Sequence, residues 1–357
     1  MKILHTSDIH IDSPLTSRLP QDKVRERRKE LISGFLRLVT EAKYLGVKAI
    51  IIAGDLFDST RVSKKALDTA IYVIEEAKDI TFFYLQGNHE GDALCLCGRT
   101  LPENLKIFGE EWTYFDLDDV TFAGRNDIRQ GMFDTLSLSK ERKNIVVLHG
   151  ELRDRSSAPD VIGIKDAAGR NIDYLALGHY HNYSAEAVDD RCAAVYCGTP
   201  EGRGFDEIGD KGYVIVSTDS TRVLHSFRSF AKRKLHIVPL ELDGVVRTAE
   251  IGERAERVLR GIPRDDIVRL ELSGRYFPNL FKDTDSLMRE FSGRYYYFEI
   301  KDSSRMAINP EDYKHDMSLK GEFIRTVSSD AALSDEAKEK IIACGINALM
   351  GEDPFES

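Results

Sequence analysis

The sequence predicts an α/β protein, with a large layered domain over residues 1–230, a smaller α+β domain over 231–310 and a helical tail over 311–357. Three observations carry this. In the first 220 residues or so, short β-branched and aromatic runs alternate with longer stretches of helical periodicity. Beyond about residue 230 a strand–helix–strand–helix–strand succession begins. At 357 residues the chain is also long for one hydrophobic core, so a large domain with a smaller companion is expected.

The elements follow in order. Strands are expected at Lys2–Thr6, Ala49–Ala53, Thr81–Leu85, Val120–Ala123, Asn144–Leu148, Tyr174–Leu177, Ala193–Tyr196 and Tyr213–Ser217. Between the first two, Leu31, Phe35, Leu38, Ala42 and Leu45 recur at steps of four and three, the spacing of one helix face, and Gly46 ends that helix. A second helix after Ser63 presents Ala66, Ala70, Val73, Ile74 and Ala77 in the same way. The small domain reads as strand Leu235–Leu242, helix Gly252–Gly261, strand Ile267–Leu272, helix Asp283–Phe291 and strand Tyr295–Ile300. In the tail, Ser334 is a suitable N-cap, and Ile341, Cys344, Ala348 and Leu349 form a narrow apolar stripe that either packs on its own domain or docks a partner.

Composition sets further bounds. A hydrophobic share of 42% and a charged share of 31% are those of an ordinary globular protein. No apolar run approaches the roughly 20 residues of a membrane span, so no membrane association is expected. The first strand begins at once, without the pattern of a signal peptide, so a cytoplasmic location is expected. Five cysteines, Cys95, Cys97, Cys192, Cys197 and Cys344, without a C-x-x-C pair, read as reduced structural thiols. The net charge of -10 argues against a surface that grips nucleic acid everywhere, but it is uneven. Residues 311–357 hold 11 acidic and 5 basic residues, a net of -6 that leaves -4 for the rest. Between Arg222 and His236, by contrast, stand Arg222, Arg228, Lys232, Arg233 and Lys234 with no acidic residue, a solvated linker or a phosphate-contacting patch.

The chemistry lies at strand ends. Asp8-Ile9-His10 follows the first strand, Gly54-Asp55-Leu56-Phe57-Asp58 the second and Gly87-Asn88-His89-Glu90 the third. His149-Gly150 and Gly178-His179-Tyr180-His181 follow the strands at 144–148 and 174–177. Five strands thus deliver ligand-type side chains to one sheet edge, where open α/β folds place their sites. Gly54, Gly87 and Gly178 each precede a candidate ligand, and positive φ there would turn the chain sharply. Two cations sharing a site need a bridging carboxylate. We assign Asp8, His10, Asp55 and His181 to one cation and Asp55, Asn88, His149 and His179 to the other, with Asp55 as the bridge. His89 is left to act on substrate, as general acid or stabiliser of transition-state charge. The lone histidines His5, His225, His236 and His315 receive no role.

These five motifs resemble those of the calcineurin-like metallophosphoesterase superfamily. The resemblance implies a β-sandwich flanked by helices with the metals at its loop edge. Within that superfamily the opening His5-Thr6-Ser7-Asp8-Ile9-His10, the run Gly54–Asp58 and Gly198-Thr199-Pro200 are most similar to the SbcD-type DNA repair exonucleases, over residues 1 to about 230. That likeness implies a DNA substrate, a capping domain that binds DNA, helices that dock on an SMC-like coiled-coil ATPase, as in an SbcCD-like complex, and room for a homodimer. Glu90 stands where those nucleases commonly have Asp, as in many protein phosphatases.

The leading reading is therefore a dinuclear phosphodiester hydrolase, a DNA exonuclease or endonuclease subunit. Mixed carboxylate, amide and imidazole ligands suit Mn²⁺, with Fe²⁺ and Zn²⁺ as alternatives. A phosphodiesterase or phosphatase acting on a small molecule or phosphoprotein is the second reading, and a non-catalytic adaptor of a coiled-coil ATPase the third.

Overall fold

The run Ala49–Ala53 is buried at every residue, not at alternate ones. A strand with that pattern is covered on both faces, so its sheet must lie between two layers. The computed structural model describes all residues except 16–18, 92–93, 95–97, 99, 279 and 351–357, and it divides into two units, Met1–Lys234 and Leu235–Ser357. Cys95 and Cys97 fall outside the described residues. Among those described, no helix is long and apolar enough to cross a membrane.

The first unit begins with β1 (Lys2–Thr6), α1 (Gln21–Tyr44), β2 (Ala49–Ala53), α2 (Lys64–Glu75), β3 (Thr81–Leu85) and β4 (Leu105–Ile107). It continues through β5 (Thr113–Leu117), β6 (Val120–Gly124), β7 (Lys143–His149), β8 (Glu151–Arg153), β9 (Val161–Gly163), α3 (Ile164–Ala167) and β10 (Tyr174–Gly178). It ends with β11 (Ser184–Ala187), β12 (Ala193–Tyr196), β13 (Gly212–Ser217) and β14 (Leu224–Ser229). All eight strands expected here form. The six not expected, β4, β5, β8, β9, β11 and β14, are short or lack apolar alternation; β11 is exposed along its whole length.

One six-stranded sheet has the order β14-β13-β1-β2-β3-β4 and the other β11-β12-β10-β7-β6-β5. Between them lies a core containing Ile3, Ile51, Phe83, Phe122, Ile145, Val147, Ala176 and Val214, in which Phe83 stacks on Phe122 with centroids 3.9 Å apart. Each such ring contributes roughly 1.5–3 kcal/mol by leaving water. A second core packs α1 and α2, through Phe35, Leu38, Ala70 and Ile74, on Ile50, Ile52 and Phe82 of the first sheet. A third covers the outer face of the second sheet. The result is a β-sandwich flanked by helices. β1, β2 and β3 run parallel, as do β7 and β10, so all five deliver their C-terminal ends in register with a neighbour.

The basic run is exposed at Arg222, Arg228 and Lys232, and departs from a solvated linker at Arg233. Arg233 is buried and, with Lys232 and Arg27, hydrogen-bonds the carboxylate of Glu30 on α1, while Lys234 pairs with Asp210. The partner of Lys232 and Arg233 lies some 200 residues away, beyond the reach of any local pattern. Burial would raise the Glu30 carboxyl, but hydrogen bonds from Arg233, Lys232 and Arg27 bring it down to about 2. A folded pKa depressed from 4.5 gives stability that is complete above pH 4.5 and is lost as pH falls through about 2. Glu30→Ala removes the carboxylate that Arg27, Lys232 and Arg233 share, while Arg27 keeps Glu201 at 3.8 Å. We expect it to cost about 3–5 kcal/mol in urea denaturation at pH 7, with less of a stability loss than wild type between pH 4.5 and 3.

The second unit comprises β15 (Leu235–Glu241), α4 (Thr248–Val258), β16 (Ile267–Ser273), β17 (Arg275–Tyr276), α5 (Thr284–Phe291), β18 (Tyr297–Asp302), β19 (Arg305–Met306), α6 (Leu319–Ser329) and α7 (Asp335–Met350). Strands β15, β16 and β18 form a parallel sheet on which α4 and α5 pack through Ile251, Ala255, Leu287 and Phe291. In the tail, α6 and α7 meet through Ile324, Ile342 and Ile346. Gly345 makes this approach feasible, since a Cβ there would lie 2.3 Å from the Phe323 ring. The buried face is thus rotated one residue from the stripe expected at Ile341, Cys344, Ala348 and Leu349. Ile341 and Leu349 are 38% and 47% exposed. Cys192 and Cys197 are buried free thiols and Cys344 a half-buried one.

Candidate metal centre

The loops after β1 and β2 are joined backbone to backbone: the amides of Asp8, His10 and Ile11 donate to the carbonyls of Gly54, Asp55 and Leu56 at 2.9–3.0 Å. Holding this pairing while turning side chains inward requires unusual backbone. Asp8 (φ 50°), His10 (φ 47°), Asp55 (φ 52°) and His179 (φ 107°) all have positive φ without being glycine. Such conformations cost of order 1–3 kcal/mol each and persist where the surroundings enforce them, typically at functional sites.

The glycines act differently from expectation. Only Gly54 takes positive φ, at 90°; Gly87 and Gly178 are needed for room. A Cβ on Gly87 would lie 2.0 Å from Asp55 Oδ1, and one on Gly178 would lie 1.8 Å from the Ala53 carbonyl oxygen. The sharp turns are thus made by the acidic and histidine residues themselves, and the glycines let neighbouring loops close on them.

All seven residues assigned to the cations converge. Single ligand atoms of Asp8, His10 and His181 lie within 4.8 Å of one another, as do those of Asp8, Asp55 and His149. Asp55 Oδ2 is 3.9 Å from His10 Nε2 and 3.5 Å from His149 Nε2, between the two groups. Asn88 Oδ1 lies 3.2 Å from His149 Nε2. The His179 ring stands 5.5 Å from that of His149, and its backbone N–H donates to the Asp8 carboxylate at 3.1 Å. Asp8, His10, Asp55 and His149 are buried.

The donor set fits divalent cations. His149 Nδ1 bonds the Ala53 carbonyl at 2.9 Å and His181 Nδ1 bonds Glu207 Oε1 at 2.7 Å, so in each ring the Nε2 lone pair is left for the site. Both ring nitrogens of buried His10 lack a hydrogen bond; Nδ1 is 3.0 Å from Asp58 Oδ1 but poorly aligned. Carboxylates and imidazole lone pairs packed this closely away from water need a positive partner.

His89 is placed differently. Its side chain is 56% exposed, its Nε2 is 3.9 Å from Asp55 Oδ2, and its backbone N–H donates to Asp55 Oδ1 at 3.2 Å. It lies at the mouth of the centre. Beside the centre is a recess of about 200 Å³ lined by Gln86, Asn88, Glu110, Asn126, Asp160 and His179, among others.

Several supporting residues received no role from the sequence, although Glu90 stands in the motif after β3. Glu90, fully buried, bridges the loops after β2 and β3 by accepting from Phe57 N at 2.9 Å and Gly87 N at 3.0 Å; burial pushes its carboxyl up to about 7. Glu207 holds His181 and also Arg203 at 2.8 Å, and Arg203 reaches Asp58 at 2.7 Å. Against the upward pull of burial, the His181 and Arg203 contacts keep Glu207 at about 2. Burial lowers His181, but Glu207 and Asp8 outweigh it and its pKa is raised; burial and the neighbouring His149 lower that of His179.

The family model for calcineurin-like phosphoesterases matches residues 1–198. A DNA double-strand break repair protein Mre11 of Methanosarcina acetivorans is 26% identical over 290 residues, covering 77% of this chain and 46% of that protein. An uncharacterized metallophosphoesterase, YhaO of Bacillus subtilis, is 25% identical over 245 residues, 64% of this chain and 60% of that one. The chain therefore spans about half the length of these relatives. Among solved structures, a dimetal phosphatase from Danio rerio aligns over 64% of this chain and 96% of its own, with 10% identity and a TM-score of 0.41.

Proposed function

Because the chain belongs to the calcineurin-like phosphoesterase family, and its motifs converge on one buried acceptor cluster, we propose that it is a two-metal phosphodiester hydrolase that cleaves DNA. The convergence of Asp8, His10, Asp55, Asn88, His149, His179 and His181 carries the reading. Mn²⁺ is the cation best suited to this mixture of carboxylate, amide and imidazole. Two such cations supply Lewis acidity to the phosphoryl group and to the attacking water. The chain's own contribution is positional. Asp55 stands between the two ligand groups, Ala53 and Glu207 fix which nitrogen of His149 and His181 faces inward, and exposed His89 meets the ester at the mouth. There its imidazole can give a proton to the leaving oxygen or hydrogen-bond the developing charge. The DNA substrate is supported by the relatives, several of which are named as DNA double-strand break repair proteins.

The test is incubation of purified protein and Mn²⁺ with labelled duplex DNA, single-stranded DNA and bis-p-nitrophenyl phosphate. Hydrolysis of DNA and of the small diester is expected. Hydrolysis of the small diester alone would transfer the protein to the small-molecule phosphodiesterases, and activity on neither would leave the adaptor role.

The same reading includes a coiled-coil ATPase partner docked on the tail. The net charge of -6 over 311–357 disfavours phosphate contact there, and Ile341 and Leu349 are exposed on a helix whose other face is already buried. Since Ile342 and Ile346 belong to the unit's core, charge reversal of the outer face is a cleaner probe than truncation. Ile341→Glu with Leu349→Glu is expected to abolish co-purification with the ATPase of the same organism while bis-p-nitrophenyl phosphate hydrolysis stays at the wild-type rate. Unchanged co-purification would exclude this face.

A further inference from the structure

Tyr180 sits between two candidate ligands, His179 and His181, yet has no part in the centre described above. Its ring packs edge-on against buried Tyr196 at 4.8 Å, and its hydroxyl donates to Glu151 Oε1 at 2.9 Å. Fixed at both ends, it still leaves the residue 41% exposed. It stands 5.5 Å from the His179 ring, so a planar group lying on Tyr180 is at the edge of the metal centre. Glu151 also pairs with Arg153, whose side chain is 64% exposed. Glu151 and Arg153 belong to β8, which follows β7 after a single residue, and β7 ends at His149. An exposed ring and an exposed guanidinium, tied to one carboxylate, thus lead away from the candidate ligands in a chain whose overall charge is -10.

Resting on the nuclease reading, we infer that Tyr180 and Arg153 form the subsite for the nucleotide next to the scissile phosphate. The Tyr180 ring stacks on the base and Arg153 meets the following phosphate. An aromatic face accepts any base, because every base has a π-face, while Arg supplies the charge that a polynucleotide backbone rewards. The Glu151 tether orients both groups before substrate arrives, which lowers the ordering cost of binding.

The experiment measures binding of a fluorescent, hydrolysis-resistant phosphorothioate oligothymidylate to the full chain loaded with Mn²⁺, by anisotropy over a series of salt concentrations. Tyr180→Ala should weaken binding about 10-fold, within the range for loss of one stacked base, and leave the slope of log affinity against log salt unchanged. Tyr180→Phe should bind within about 3-fold of wild type, because the ring is retained. Arg153→Ala should reduce the salt slope by about 0.7, the value for one phosphate contact on a single strand. Wild-type affinity in Tyr180→Ala, equal weakening in Tyr180→Phe, or an unchanged slope in Arg153→Ala would overturn the subsite while leaving the nuclease reading in place. A wild-type protein that hydrolyses bis-p-nitrophenyl phosphate but binds no oligonucleotide would remove that reading and the subsite together.

Discussion

His89→Ala is expected to lose about 10²- to 10⁴-fold in hydrolysis rate while retaining both cations, the range typical of general acid catalysis. Four of the ligand candidates are buried, whereas the His89 side chain is 56% exposed and its nearest ring nitrogen is 3.9 Å from Asp55 Oδ2. What fixes the residue is its backbone, through the N–H bond to Asp55 Oδ1 at 3.2 Å, and alanine keeps that bond. Elemental analysis of the purified variant should therefore give the wild-type metal content, with the loss appearing in kcat. A variant that has lost both ions would make His89 a ligand or a prop for one.

The ligand types were legible in the sequence because each follows a strand whose apolar run is unmistakable. Once β1, β2, β3, β7 and β10 are recognised, parallel pairing aligns the ends of β1, β2 and β3 in one sheet and of β7 and β10 in the other, and the stacking of the two sheets brings both sets together. How the ligands are held in place was not legible, although Glu90 itself stands in the motif after β3. Glu207 orients His181 from 26 residues away, in a loop without periodicity, and Glu90 braces two loops by accepting from Phe57 N, 33 residues earlier. Such contacts depend on how loops fold over the sheet edge, and no local pattern encodes them. The backbone gave a second surprise for a related reason. Of the three glycines only Gly54 has positive φ, and Asp8, His10, Asp55 and His179 bear it as well; Asp8, His10 and Asp55 pair main chain between two loops while aiming inward, and His179 N–H donates to the Asp8 carboxylate.

The tail shows the limit of periodicity itself. Ile341, Ile342, Ile346 and Leu349 offer two overlapping apolar stripes on one helix, about 100° apart per residue. Spacing alone cannot choose between them. Ile324 on α6 and the close approach at Gly345 decide in favour of Ile342 and Ile346. In the basic run Arg222, Arg228 and Lys232 are exposed, and Arg233 departs because the acid it pairs with lies on α1.

Asp55→Asn should have the most far-reaching effect on the centre, because the substitution keeps shape and removes the charge shared by two cations. Asp55 Oδ2 lies 3.5 Å from His149 Nε2 and 3.9 Å from His10 Nε2, one from each ligand group. An amide in its place can turn only one oxygen to the site, and its NH₂ group would repel the other cation. Outer-sphere changes at metal sites already cost about 10–100-fold in affinity or activity, so removal of a bridging carboxylate should cost at least about 100-fold at both sites. His10→Ala, by contrast, should weaken chiefly the site that it shares with Asp8 and His181. Titration of metal-free protein with Mn²⁺ separates the cases: two weakened sites in Asp55→Asn against one in His10→Ala. Asp8 provides the internal alternative, because it belongs to both close groups of ligand atoms. If Asp8→Asn weakens two sites and Asp55→Asn only one, the bridge is Asp8, and the assignment of Asp55 must be exchanged with it.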